Sequence, residues 1–388
     1  MVGLSFFAKL LPVRYAEWMR STFCALLGLF VACPGALMAS TTVYFGNYSK
    51  GEGAGVYRAE LNEETGELSA PVLAGPAQSP SFLAVHPMMP RLYAVSEVDK
   101  GVVEAFAIES DGSLRPMNSQ STQGGAPCHV CVDPSGGAIV VANYAGGSSA
   151  SFPILQDGSL GPAGSFVPHS GSSVDPQRQQ GPHAHSAMTD PSGHRVFVCD
   201  LGVDRIFIFQ LDSGSGEMVL NDPAYVAMPP GGGPRHLAFH PKGRFAYANL
   251  EMTSQVATLG YDLEAGGMRL LETHSTLPSD FEEHNSTAET LVHPTGEFVY
   301  VSNRGHNSIA AFRIDQQTGK LTALERYSTQ GEVPRGFGIT PDGRFLLAGN
   351  QKSDNVTVFR INRESGALEP TGFGAKLPSP VCVRFYRR

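Results

Sequence analysis

Phe239-His240-Pro241-Lys242-Gly243-Arg244-Phe245-Ala246-Tyr247-Ala248-Asn249 reads as the end of one apolar strand, a tight turn and a second apolar strand. Proline presets φ at the turn, and the glycine two residues later tolerates a left-handed position, so the chain reverses there. The same turn recurs at His86-Pro87, Asp133-Pro134, Asp190-Pro191, His293-Pro294 and Thr340-Pro341. In all but the first, where Met88-Met89-Pro90 stands instead, a glycine follows the proline by two residues.

Each turn leads into a near-continuous apolar run such as Arg195-Val196-Phe197-Val198-Cys199 or Phe298-Val299-Tyr300-Val301-Ser302, which suits a strand buried on both faces. A third strand alternates, as in Asn355-Val356-Thr357-Val358-Phe359-Arg360-Ile361, and a turn such as Glu364-Ser365-Gly366 introduces a short fourth. Each unit is therefore a four-stranded meander. Counted six residues before the turn, the units begin at 80, 127, 184, 234, 287 and 334, with spacings of 47, 57, 50, 53 and 47. Four strands per roughly 50 residues is the repeat of a β-propeller blade. At the ends, Pro380-Val381-Cys382-Val383-Arg384-Phe385 is a first strand without a second, and Thr41-Thr42-Val43-Tyr44-Phe45-Gly46-Asn47 a second without a first. Pairing them removes two exposed edges and makes a seventh blade. The expected fold is an all-β seven-bladed β-propeller, one domain over residues 40–388. A pair of β-sandwiches leaves the shared turn unexplained, and a parallel β-helix repeats over a shorter period.

Composition narrows the function classes. With 41% hydrophobic residues the chain can bury a large core, and its 44 Gly and 28 Pro agree with many reversals. A net charge of −8 without a basic run argues against nucleic acid as a partner. Residues 1–39 read as a signal peptide: Arg14 and Arg20 precede an apolar run at 23–31, and small residues follow at 35–40. That run is too short to span a bilayer. Export to the periplasm or medium is expected, with lipidation at Cys33 the lesser alternative. The four cysteines beyond the leader, Cys128, Cys131, Cys199 and Cys382, are too few for a disulfide framework and read as buried thiols.

Comparing blades separates scaffold from site. His86, His240 and His293 share one turn position with Asp133, Asp190 and Thr340, so they serve the turn. Charged groups unique to one blade cluster elsewhere. The starts of first strands carry Cys128-His129, His183-Ala184-His185, Arg235-His236, Ala288-Glu289 and Arg335-Gly336. The ends of second strands carry Glu97, Asn143-Tyr144, Asp200, Glu251, Asn303-Arg304 and Asn350-Gln351. Because the second strand returns antiparallel to the first, both sets open on one face of the propeller. Glu97, Glu251 and Arg304 fall in register four residues beyond the second-strand aromatic position.

Arg235 and Arg335 together suit a carboxylate, phosphate or developing oxyanion, since guanidinium groups offer several directional donors. His185, with His183 as second choice, is the expected general base on water, and Glu251 orients or protonates. His129, Asn143, Asp200, His236, Glu289 and Arg304 are expected to contact substrate. His183 and His185 alternate on a strand and could ligate zinc, but further ligands are wanting and arginines stand nearby. No metal or other cofactor is expected. Residues 170–181, in the longest repeat, read as a loop over the same face.

Gly233-Pro234-Arg235-His236-Leu237-Ala238-Phe239-His240-Pro241, Ser302-Asn303-Arg304-Gly305-His306-Asn307-Ser308-Ile309, Val333-Pro334-Arg335-Gly336-Phe337 and Gly181-Pro182-His183-Ala184-His185-Ser186 resemble the signatures of the seven-bladed propeller lactonase family. That family includes a bacterial type of 6-phosphogluconolactonase and fungal carboxymuconate cyclases. The resemblance implies hydrolysis or formation of a lactone ester. In the cyclase branch a histidine, two arginines and a glutamate serve the site; by motif they fall on the His183/His185 segment, Arg235, Arg304 or Arg335, and Glu251. Leu250 stands where family members carry asparagine. Phosphorylated sugar lactones arise in the cytoplasm, so export favours an unphosphorylated sugar lactone or another ester. The expected protein is a monomer acting on a small lactone, without a membrane span, and a non-catalytic propeller that binds a polysaccharide or protein is the rival reading.

Overall fold

The computed structural model describes residues 40–51 and 53–387. The leader-like residues 1–39, with the Cys33 alternative, lie outside the described residues. Among the described residues there are 28 strands and no helix, arranged as seven four-stranded antiparallel sheets. No helix there is long and apolar enough to cross a membrane. Blades 1 to 6 occupy residues 83–121, 127–168, 184–227, 234–275, 287–328 and 334–376 in chain order. Blade 7 is built from both ends: Pro380–Tyr386 lies innermost and pairs with Ser40–Asn47, with Thr42 opposite Tyr386 and Phe45 opposite Val383. The innermost strands touch one another in a closed ring, Pro380–Tyr386 packing against both Leu83–Val85 and Pro334–Ile339. The seven-bladed propeller and its composite last blade are as the repeat implies.

The core lies between blades, where the second and third strands of neighbours bury their apolar faces. Phe197, Ile206 and Ile208 of blade 3 pack with Leu237, Ala246 and Leu250 of blade 4 in one buried cluster. A recurrent hydrogen bond fixes the stacking. The second-strand tyrosines Tyr44, Tyr93, Tyr247 and Tyr300 are buried and donate across to the turn carbonyls of Gly112, Gly158, Gly319 and Gly366 in the next blade, at 2.8–2.9 Å. These turns need glycine: Gly319 has φ 72°, and a Cβ there would collide with the Phe245 ring. The turn histidines do the same at the same end of the strands. Nε2 of His86, His240 and His293 meets the carbonyls of Gly136, Gly296 and Gly343 at 2.9–3.1 Å, which makes all three structural.

One irregularity is repeated and places the site. In blades 2 to 6 the register between the first two strands slips by one residue at the start of the inner strand. Pro234 faces Leu250 while Leu237 faces Ala248, so Arg235 and His236 together oppose Asn249. A bulge of this kind re-aims side chains and suspends strict alternation. Cys128, His185, Arg235, Ala288 and Arg335 occupy the same bulged position in their five blades.

Candidate active site

A cavity of about 480 Å³ opens where those bulges meet the ends of the second strands. The bulges contribute Cys128, His185 and Arg335 to its wall, and the second-strand ends contribute Glu97, Tyr144, Glu251 and Arg304. Register alone brings these together, since all come from equivalent positions of different blades.

Glu251 is the electrostatic centre. Its Oε2 lies 3.0 Å from Arg235 Nε and 3.0 Å from Arg304 Nη2, and its Oε1 lies 2.9 Å from Arg178 Nη2. Burial pushes this carboxyl upward, but Arg304, Arg235 and Arg178 outweigh it and hold the pKa down at about 2. Glu251 is therefore ionised at neutral pH and is a poor proton donor there, so of its two expected roles the geometry supports orientation. Glu251 thus gathers three guanidinium groups; the wall itself holds Arg178, Arg304 and Arg335 with Glu97, Asp175 and Glu251, and Arg235 lies outside the lining. Arg235 is buried and also donates through Nη1 to the Ala288 carbonyl; Arg304 Nη2 reaches the Thr287 carbonyl at 2.9 Å. Burial, against the opposing pull of Glu251, brings Arg304 down to about 10, still protonated at neutral pH. Arg335 lies across the Tyr48 ring, whose hydroxyl donates to Glu97 at 2.9 Å.

His185 is 4% exposed, edge-on to Tyr144, with Nδ1 3.7 Å from Cys128 Sγ. Burial first, then the neighbouring Arg235, His236 and Arg335, holds its pKa well below 6.5, so the ring is neutral and free to accept a proton. Burial drives the Cys128 thiol upward, away from thiolate character. His183 is placed differently: it stacks on the Tyr144 ring at 4.6 Å and its Nδ1 meets the Tyr144 carbonyl at 3.0 Å, off the cavity wall. Among the described residues no group of three or more His, Cys, Asp or Glu is arranged to hold a metal ion.

The remaining expected contacts divide by depth. His129, His236 and Glu289 lie buried behind the cavity wall. His236 Nδ1 is 2.6 Å from Glu289 Oε1, and the His129 ring stacks against Phe82 at 3.9 Å. Asn143 and Asp200 are fully buried and outside the lining. Asn143 Nδ2 donates to the Thr122 carbonyl, as Asn303 and Asn350 do to Thr276 and Thr329, so it belongs to the repeated scaffold. Asp200 accepts from the backbone of His183 and Gly202 and from His169 Nδ1 at 2.7 Å. His169 Nε2 in turn faces Ser149 Oγ at 3.3 Å, giving a Ser-His-Asp array that is sealed inside the protein and lacks a substrate path. Leu250, at the family's asparagine position, is fully buried in the core between blades 3 and 4 rather than facing the cavity.

Arg178 is absent from the sequence expectation, which reached its loop but not the residue. The loop at 170–181 does lie over the site, with Asp175 and Arg178 in the cavity wall and Arg178 also donating to Tyr144 Oη at 3.0 Å. Its signal was the extra length of the repeat beginning at 127. His284, Asn285 and Ser286, from the connection before blade 5, complete the rim and had no signal of their own.

Comparison with known proteins identifies the family. The family profile described as "Lactonase, 7-bladed beta-propeller" matches residues 42–385. A 6-phosphogluconolactonase of Bacillus subtilis is 38% identical over 344 residues, 88% of this chain and 97% of the relative. A 6-phosphogluconolactonase of Formosa agariphila is 32% identical, covering 77% of this chain and 86% of the relative. The solved structure of the periplasmic gluconolactonase PpgL of Pseudomonas aeruginosa superposes with a TM-score of 0.83 at 31% identity, over 89% of this chain and 99% of that one. The chain belongs to the seven-bladed β-propeller lactonase family and is a lactonase.

Proposed function

We propose that this lactonase hydrolyses an unphosphorylated sugar lactone outside the cytoplasm, as a monomer, through metal-independent general-base chemistry. The observation that carries the reading is the juxtaposition, in one cavity wall, of a neutral buried His185 with Arg304 and Arg335, while Arg235, buried and outside the lining, is held against Glu251 of the same wall. His185 takes a proton from water as the oxygen attacks the lactone carbonyl. Charge develops on the carbonyl oxygen, and Arg235 and Arg335 stabilise it without reorganising, because Glu251 and the surrounding backbone already hold the cationic groups in place. Collapse breaks the ring C–O bond; the leaving alkoxide takes the proton back from His185, and the product is a hydroxy acid. Arg304 serves the substrate from the rim.

The leader-like residues 1–39 and the likeness to a periplasmic gluconolactonase support the extracytoplasmic, unphosphorylated substrate. The test is a pH-stat assay of purified protein on glucono-δ-lactone, its 6-phosphate and a muconolactone, with spontaneous hydrolysis subtracted and with or without chelator. Fractionation of cells making the full chain accompanies it. Preference for glucono-δ-lactone, insensitivity to chelator and a periplasmic or secreted product are expected. Acceleration of none of the lactones overturns the reading in favour of a binding propeller.

A further inference from the structure

The blade 4 bulge sends two consecutive side chains inward, Arg235 and His236, and the second of these has a defined chemical state. His236 Nδ1 lies 2.6 Å from Glu289 Oε1, and His236 Nε2 lies 3.1 Å from Arg235 Nη1. An ionised carboxylate only accepts hydrogen bonds and a guanidinium only donates them. Both contacts are satisfied together in one form alone, the neutral ring with its proton on Nδ1. Any form with a proton on Nε2 sets N–H against N–H at the arginine.

We propose that His236, held as the Nδ1–H tautomer by Glu289, is a positioning residue that orients the Arg235 guanidinium for lactone hydrolysis. This rests on the reading of Arg235 as a partner of the developing oxyanion. Two of the guanidinium's directions are then assigned by hydrogen bonds within the protein, Nη1 to the Ala288 carbonyl and to His236 Nε2, and the Nε side lies in ion-pair contact with Glu251. Nη2 has no protein acceptor among the described residues and is the edge left for substrate. A guanidinium rotated about its stem keeps its charge but loses that edge, so positioning is worth more here than the hydrogen bond itself.

The groups facing His236 are consistent with a neutral ring. Glu289 comes from blade 5, His129 from blade 2 with its ring centroid 5.2 Å away, His185 from blade 3 at 5.5 Å, and Arg384 from the C-terminal strand. Burial, with Arg235 and Arg384 opposing the pull of Glu289, draws His236 down to about 4. The neutral form therefore persists through the physiological range.

Two substitutions remove the two contacts of His236 one at a time. Asn at 236 places its amide near the Nδ1 position and keeps a partner for Glu289; Gln reaches the Nε2 position and keeps an acceptor for Arg235. His236→Asn is expected to lower kcat about 30-fold with KM within about threefold, and His236→Gln to stay within about fivefold of the parent kcat. An Asn variant at least as active as the Gln variant overturns the proposal; because Gln is also nearer to His in volume, the kcat-against-KM split and the tautomer measurement separate positioning from packing. If the Asn variant melts far below the parent, Glu289→Ala is the second variant, expected to lower kcat about tenfold by releasing the tautomer; unchanged kcat overturns it. Independently of activity, NMR of the ¹⁵N-histidine-labelled protein, assigned with a position-236 variant, is expected to show protonated Nδ1 and bare Nε2. An Nε2–H tautomer overturns the proposal even in an active enzyme. A parent that hydrolyses none of the lactones instead refutes the proposed function, while the tautomer measurement still decides this point.

Discussion

Arg178 Nη2 stands 2.9 Å from Glu251 Oε1, although 73 residues separate them and Arg178 sits on the long connection between blades 2 and 3. The contact closes the outer side of a carboxylate whose inner oxygen already serves Arg235 and Arg304. Arg178 is half-exposed, with a side-chain accessibility of 43%, so solvent screens the pair and its part in stability is small. Its effect belongs to the cavity wall. Arg178→Ala is expected to raise KM about three- to tenfold with little change in kcat, and to speed protease cleavage within 170–181. Steady-state kinetics and limited proteolysis check this; unchanged KM and an unchanged cleavage rate would remove the loop from the site.

Arg235 is expected to act mainly in the transition state. Arg235→Ala should lower kcat about 100-fold while the far-UV spectrum and assembly state stay as in the parent. Full lactonase activity in a folded variant would refute its assignment.

Glu251→Gln removes the charge that neutralises three guanidinium groups while keeping the volume. The repulsion between Arg235 and Arg304 is then unopposed, and kcat is expected to fall by about 100-fold or more. Because the carboxylate's pKa is depressed to about 2, its contribution to stability is present above the ordinary value near 4.5 and is lost as pH falls toward 2. Thermal melts should show the parent losing its advantage over the variant across that interval, and a constant difference would exclude Glu251 as the titrating group.

The pH–rate profile follows from His185. Its pKa is lowered, so the proton-accepting neutral form survives well below 6.5. kcat/KM is expected to stay flat from neutral pH to well below 6.5, without the acid limb of an ordinary histidine. A limb centred near 6.5 would show that the base is another group.

Leu250→Asn tests whether the family's asparagine position can be restored. Leu250 is fully buried in the apolar cluster between blades 3 and 4, so the change is expected to cost about 3 kcal/mol of stability and yield no gain in turnover. A gain in kcat at unchanged melting temperature would contradict this placement.

The turn at His240-Pro241 and its relatives, with the unpaired strands at the two ends, determine the seven blades and their closure. Local turn chemistry and strand periodicity suffice where one unit is repeated, because each repeat samples the same physics. Counting along that repeat also put Glu97, Glu251 and Arg304 on one rim, since register is a local property. Asn143 recurs as Asn303 and Asn350 at equivalent strand ends, so the repeat itself marks it as scaffold. Tertiary structure decided the rest. Alternation along a strand gave His183 and His185 a common face, but the bulge turns only His185 to the cavity. Depth along the channel put His236 and Glu289 behind the wall, and folding of the long connection brought Arg178 to Glu251. Bulges, depth and loop closure depend on how seven blades pack around one axis, and no stretch of a single blade encodes that geometry.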